Sequence, residues 1–356
     1  MINVDQFLID KGLISTKEII SGEFLWVDKS RRHKNTEVLF SGDDPKKYFI
    51  KQLQKSDSVS IDAFQREALV YWLADNNDHF DLLKNYLPKC YGYDGVNNIL
   101  ALELFTPVES FQEHLYFSGN NSAYDTVPSL LGEAIAHIHG RTNISAFLKD
   151  NQTDFPMKLP WILTMDSFSV ANATDISKAN KQLLLEIQSK PQLVSLLRWV
   201  KDNWSFHSFI HGDLKPDNCL LLNTDAAQQP TIKLIDWELA DYSDPTWDLS
   251  SIIQAYWCFS IISGKYNSYA TPFSFIEPVR EGINMFLSTY NKTATAYGKT
   301  QNDIHRLIFF AAARMLQTIY ETLSYADSIT PMAHQMLETC TAIIQHPNQL
   351  IREDFH

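Results

Sequence analysis

Cysteine is scarce and scattered in this sequence. The four residues, Cys90, Cys219, Cys258 and Cys340, form no CxxC pair. That excludes a cysteine-rich zinc site and a small disulfide-stapled scaffold, and it fits a reducing, cytoplasmic location. Basic charge is also in deficit: 30 Lys and Arg against 42 Asp and Glu leave a formal net charge of -12. A surface of that sign repels a phosphate backbone, so no nucleic-acid partner is expected. Long apolar runs are absent too. The two most apolar stretches, Leu249 to Ile262 and Leu307 to Tyr320, are too short to cross a bilayer. The first contains Gln254 and the second Arg314 and Gln317. Both read as buried helices, and no membrane partner is expected. The opening residues, MINVDQFLIDKGLIS, lack a basic segment followed by an apolar core, so no signal peptide is expected. No low-complexity tract or internal repeat is present, which argues against solenoids and arrays.

What is present reads as a soluble globular chain. Apolar residues make up 45% and charged residues 20%, and 356 residues suffice for one large domain or two ordinary ones. The acid surplus serves solubility first; a cleft lined by carboxylates would also concentrate a cationic substrate.

Residues up to about 60 read as strand-rich. Glu37 to Phe40 and Tyr48 to Gln52 are apolar runs separated by Ser41-Gly-Asp-Asp-Pro45, the pattern of a β-hairpin. A helix is expected over Ile61 to Ala74, where Phe64, Ala68 and Tyr71 recur at helical spacing with Glu67 beside them. Asp62 sits near its start, where a carboxylate favours the helix dipole. Pro88 to Gly92 and Ile99 to Phe105 read as two more strands around a turn. A helix over Val127 to His139 is expected to end at Gly140 as its C-cap. The rest reads as helical, apart from short strands within 209–240. The absence of βαβ alternation argues against a doubly wound sheet. The expectation is an α+β chain of two lobes with a ligand cleft between them.

The segment His211-Gly-Asp-Leu-Lys-Pro-Asp-Asn218 lies between apolar runs, as a loop held by buried strands would. Leu234-Ile-Asp-Trp-Glu238 places another acid after an apolar strand. Phosphoryl transfer to a hydroxyl needs an acid to orient or deprotonate the attacking oxygen. It also needs oxygen ligands for magnesium. Asp213 can serve the first need; Asn218 and Asp236 can serve the second.

HGDLKPDN resembles the catalytic loop of the aminoglycoside phosphotransferase and choline kinase group, in which HGD replaces the HRD of protein kinases. IDWE stands where the metal-binding DFG motif would. Ser243-Asp-Pro-Thr-Trp-Asp-Leu249 resembles the group's GDPxWDL string, with Ser243 in place of the usual glycine. All three occur in order and at kinase-like spacing. The resemblance implies a bilobal protein-kinase-like fold, with a small antiparallel-sheet N-lobe over 1–105 and a larger, mainly helical C-lobe over 106–356. It implies a nucleoside triphosphate, ATP or GTP, with Mg2+ between the lobes. Asp213 would be the catalytic acid, Asn218 and Asp236 the metal ligands, and His211 and Asp248 supports of the loop. Lys51 would hold phosphates, paired with Glu67, and the backbone of Glu103 and Phe105 would meet the base. His139 resembles a histidine that packs beneath the catalytic loop. Lys215 resembles the lysine that stabilises the γ-phosphate in Ser/Thr protein kinases; an exposed loop lysine is the plainer alternative. Glu238 would lie near the metals or simply face water.

One departure stands out. No GxGxxG precedes Lys51; Gly22 to Thr36 carries Arg31, Arg32, His33 and Lys34 instead. They either touch phosphates or form a solvated turn, the commoner fate of a charge run. The acceptor is expected to be a small hydroxyl compound, aminoglycoside- or choline-like. The alternatives are a Ser or Thr hydroxyl in a precursor peptide, or an inactive nucleotide-binding module. Trp257, Phe259, Tyr290, His305, Arg306 and Arg314 are expected to shape the acceptor pocket.

Overall fold

A computed structural model describes residues 4–22, 24–29, 34–40, 47–53, 57–117, 126–141, 155–170, 176–222, 230–263, 275, 277–299 and 302–355. The chain divides into two compact units, Met1–Glu109 with Asn218–Ala240, and Ser110–Asp217 with Asp241–His356. No helix among the described residues is long and apolar enough to cross a membrane.

The first unit is built on an antiparallel sheet of β1 (Phe24–Asp28), β2 (Lys34–Phe40), β3 (Lys47–Gln52), β4 (Cys90–Asp94) and β5 (Ile99–Glu103), in the order β1-β2-β3-β5-β4. Alternation sets its faces: in β3, Tyr48 and Ile50 are buried on one face, and Lys51 is buried on the other. The β2–β3 turn, Ser41 to Pro45, lies outside the described residues. The strand-rich expectation for the first 60 residues missed two helices, α1 (Val4–Asp10) and α2 (Thr16–Ser21). Val4, Phe7 and Leu8 of α1 and Ile14 of the connection bury in a cluster with Val38, Tyr48, Ile50, Ile99 and Ala101, and the partly buried Ile19 of α2 packs against it. The overlooked signal was a capping box. Ser15 accepts from the Glu18 N–H and the Glu18 carboxylate accepts from the Ser15 N–H. Helix α3 (Ser58–Asn76) buries Phe64, Glu67, Ala68 and Tyr71. Its cap is Asp57, which accepts from the Ser60 N–H, so Asp62 lies a turn too deep for the role expected of it.

The expected boundary near residue 105 differs from the observed division, because 218–240 joins the first unit. Backbone and side-chain bonds account for this. The Leu234 N–H donates to the Tyr86 carbonyl at 2.7 Å. Lys233 Nζ reaches the carbonyls of Asn85 and Leu87 at 3.1 and 3.0 Å, and Arg66 Nη1 donates to the Glu238 carbonyl. Cys219–Leu222 and Thr231–Leu234 pair antiparallel.

The second unit is mainly helical: α4 (Phe111–Phe117), α5 (Val127–Arg141), α6 (Lys178–Ser189), α7 (Pro191–Asp202), α8 (Pro245–Ile262), α9 (Glu277–Thr295), α10 (Ile304–Thr322), α11 (Pro331–Gln345) and α12 (Pro347–Asp354). Helix α8 is buried from Pro245 to Ile261 and lies in the core, as a helix apolar all round must. Gly140 does not cap α5; the helix runs through it to Arg141. A Cβ there would stand 2.2 Å from Cδ2 of Tyr297, so the glycine makes room for that ring. A short antiparallel pair, Ser208–Ile210 with Asp241–Ser243, carries the loop that follows at His211.

Candidate functional site

In the first unit, Lys51 is the centre of a buried charge cluster. It lies on β3 and is 7% exposed; Glu67 on α3 is 1% exposed. Lys51 Nζ donates to Glu67 Oε1 and Oε2 at 2.8 and 2.9 Å and to Asp236 Oδ1 at 2.8 Å. Asp236 lies two residues beyond the strand Thr231–Leu234 and adopts φ 68°, a left-handed conformation that Asp tolerates better than most residues. That turn carries the carboxylate to the lysine. Burial works to lower the Lys51 pKa, but the carboxylates of Glu67 and Asp236 outweigh it and hold the ammonium above its usual range. Burial pushes the Glu67 carboxyl up, to about 7; Lys51 opposes the rise, while Asp236 and Glu238 add to it. Two acids thus compete for one cation.

Asn218, 4% exposed, stands beside Asp236 through the backbone, its carbonyl accepting from the Ile235 N–H at 3.0 Å. A cavity of about 120 Å³ adjoins the cluster. Lys51, Glu67 and Asp236 line it together with Glu103, Phe105 and Leu220. The Glu103 carboxylate accepts from the Lys89 N–H, and its own N–H donates to the Lys89 carbonyl. Arg31, Arg32 and His33 lie outside the described residues, as does the side chain of Lys34, the first residue of β2.

The second unit holds the other group of expected residues. Asp213, 6% exposed, follows Gly212, whose φ of 81° is available to glycine at little cost. Its N–H donates to His211 Nδ1 at 3.3 Å. Asp248, in the first turn of α8, accepts from the N–H groups of His211 and Gly212 at 2.8 and 3.0 Å and from His139 Nε2 at 3.2 Å. His139 Nδ1 meets the Tyr290 hydroxyl at 3.0 Å. Burial opposes ionisation of Asp248, but its bonds with His139 and His211 outweigh it and hold the carboxyl below its usual 3.8. Lys215 Nζ donates to Asp213 Oδ2 at 2.9 Å. The other oxygen, Oδ1, accepts from Arg314 Nη2 at 2.7 Å. The sequence pattern does not show that contact: it groups Arg314 with residues expected to shape an acceptor pocket and draws no link to Asp213. The available signal was a lone cation in the apolar run of α10.

Lys51, Glu67, Asn218 and Asp236 thus gather in one unit, and His211, Asp213, Lys215 and Asp248 in the other. The chain itself links the groups, passing from Asp213 to Asn218 within one loop. A small antiparallel sheet with a Lys–Glu pair, an acid just beyond a strand and an HGD loop on a helical unit define a phosphotransferase of protein-kinase-like fold. Residues 35–264 match the phosphotransferase enzyme family, to which the chain belongs; it is a phosphotransferase acting on a hydroxyl group. No curated protein matches it. Among solved structures, it is similar to an ethanolamine kinase of Plasmodium vivax at 14% identity, covering 94% of this chain and 84% of that one, with a TM-score of 0.59. A choline kinase of Cryptosporidium parvum aligns at 14% identity over 99% and 97% of the two chains, with a TM-score of 0.57. An amicoumacin kinase in complex with AMP-PNP, Ca2+ and Ami aligns at 11% identity over 95% of each chain, with a TM-score of 0.52.

Proposed function

We propose that this protein moves the γ-phosphate of a nucleoside triphosphate, ATP or GTP, onto a hydroxyl of a small molecule, an aminoglycoside- or choline-like alcohol. The observation that carries the reading is the Lys51–Glu67–Asp236 cluster beside a cavity in the sheet unit. The relatives named as ethanolamine, choline and amicoumacin kinases support a small acceptor.

The donor chemistry fits magnesium. An Asn amide and an Asp carboxylate are hard oxygen donors, and magnesium commonly takes one or two protein ligands while phosphates and water complete its shell. Asn218 and Asp236 together would supply two such ligands and leave the remaining positions to phosphate oxygens and water. When bound, the metal neutralises phosphate charge as it develops. Asn218 and Asp236 would hold it, and Lys51, oriented by Glu67, would hold phosphates. Asp213 accepts the hydrogen bond of the acceptor hydroxyl and takes its proton. The new bond joins the acceptor oxygen to the γ-phosphorus, and the bond to the bridging oxygen of the leaving nucleoside diphosphate breaks. Lys215 would stabilise charge on the transferring group.

The test compares Asp213→Ala with Asp236→Ala. Transfer from radiolabelled Mg-ATP is followed with choline, ethanolamine, kanamycin and a Ser/Thr-rich peptide as acceptors, and nucleotide binding by calorimetry. Asp213→Ala is expected to lose transfer and keep nucleotide binding; Asp236→Ala is expected to weaken both. Wild-type turnover by folded Asp213→Ala would refute the assignment, and labelling of the peptide alone would move the acceptor to a protein hydroxyl.

A further inference from the structure

Arg314 stands in the middle of α10, 1% exposed, directly after Ala311, Ala312 and Ala313. A guanidinium in such a setting is costly unless its partners satisfy it. Its partners are specific. Nη2 donates to Asp213 Oδ1 at 2.7 Å, and Nε donates to Ser251 Oγ at 3.2 Å. The group lies over the Trp247 ring, 5.8 Å from its centroid. Nη1 is buried and 3.7 Å from Glu321 Oε1, and it makes no hydrogen bond among the described residues. Trp247 in turn donates from Nε1 to the Gly212 carbonyl at 3.2 Å. Helices α8 and α10 therefore grip the same short stretch of loop, one at its backbone and the other at the Asp213 carboxylate.

We propose that Arg314 is a positioning residue for phosphoryl transfer: it fixes the Asp213 carboxylate through Oδ1, so that Oδ2 is the oxygen presented to the acceptor hydroxyl. The inference rests on the role given above to Asp213. Two considerations favour positioning over simple structural support. Buried ion pairs contribute little net stability compared with well-packed apolar groups, so the fold alone gives weak reason for an arginine here. The two cations on Asp213 also differ. Lys215 is 37% exposed on a flexible stem and can release Oδ2 when an acceptor arrives, whereas Arg314 is a planar fork held by Ser251 and Trp247.

The test uses Arg314→Met and Arg314→Lys, with folding checked by thermal denaturation and by AMP-PNP binding. Transfer from Mg-ATP is measured to whichever of choline, ethanolamine or kanamycin the wild-type protein phosphorylates fastest. Arg314→Met is expected to lose about 10²-fold in kcat with the KM for ATP changed by less than about twofold, and Arg314→Lys to recover part of the loss. A crystal structure of Arg314→Met is expected to show the Asp213 carboxylate turned from its wild-type orientation. Wild-type kcat in folded Arg314→Met, or an unmoved Asp213 carboxylate, overturns the proposal. Should the Met variant fail to fold, Ser251→Ala removes only the Nε tether: a kcat loss of about fivefold at unchanged KM for ATP supports positioning, and wild-type kcat opposes it. A wild-type protein that binds Mg-ATP but transfers to none of the three counts against those acceptors and leaves the crystallographic comparison to decide the role of Arg314.

Discussion

Lys51 and Glu67 face each other with both carboxylate oxygens on one ammonium, at 2.8 and 2.9 Å, and both side chains are buried. Breaking such a pair from one side leaves an uncompensated charge in the interior, which costs about 3–5 kcal/mol. Lys51→Met should therefore destabilise the protein by about that amount, while Lys51→Met with Glu67→Leu should recover most of it. Urea denaturation of the three proteins measures the difference. Equal stability of single and double variants would remove the pair from the account of the fold.

Asp248 makes stability depend on acid. Its folded pKa lies below the usual 3.8, so on acidification the unfolded chain takes up a proton first. The stability it contributes is complete above that usual value and is lost as pH falls through the lower folded one. Asp248→Asn should be less stable than wild type at neutral pH, and the gap should narrow towards about pH 3 and below. Denaturant midpoints for both proteins across that range give the answer; a gap independent of pH would contradict it.

Gly140→Ala should destabilise by about 1–3 kcal/mol, although alanine is the better helix former. The added methyl would meet the Tyr297 ring, 2.2 Å from Cδ2. Pairing the change with Tyr297→Ala should relieve the clash, and thermal unfolding of single and double variants would show whether it does.

Lys215→Ala should leave the melting temperature almost unchanged, because a partly exposed ion pair contributes about 0–1 kcal/mol. The same change should lower transfer from Mg-ATP about tenfold or more if the lysine stabilises transferring charge. A normal rate would return Lys215 to the status of an exposed loop residue.

Local pattern carried the reading of the candidate site. Each of His211, Asp213, Asn218, Asp236 and Asp248 sits within a short string whose residue types and order carry meaning without coordinates. Lys51 and Glu67 could be paired only through the resemblance, which matches a strand lysine and a glutamate on the helix that follows it. Helices α1 and α2 were overlooked because they are short and held by packing on the sheet rather than by a strong period. The attachment of 218–240 to the sheet unit depends on bonds such as Leu234 to Tyr86 that span distant sequence.

By itself the sequence determined the class of chemistry, through three strings that resemble those of a phosphotransferase group. It also determined that a sheet-rich part with one helix, Ser58–Asn76, precedes a mainly helical part, although not that α1 and α2 come before the sheet. Only the tertiary structure decided that Gly140 makes room for Tyr297 and that Arg314, about a hundred residues downstream, holds Asp213. Periodicity reports which face of a helix is buried, but not which distant side chain meets it. That meeting is set by how the helices pack.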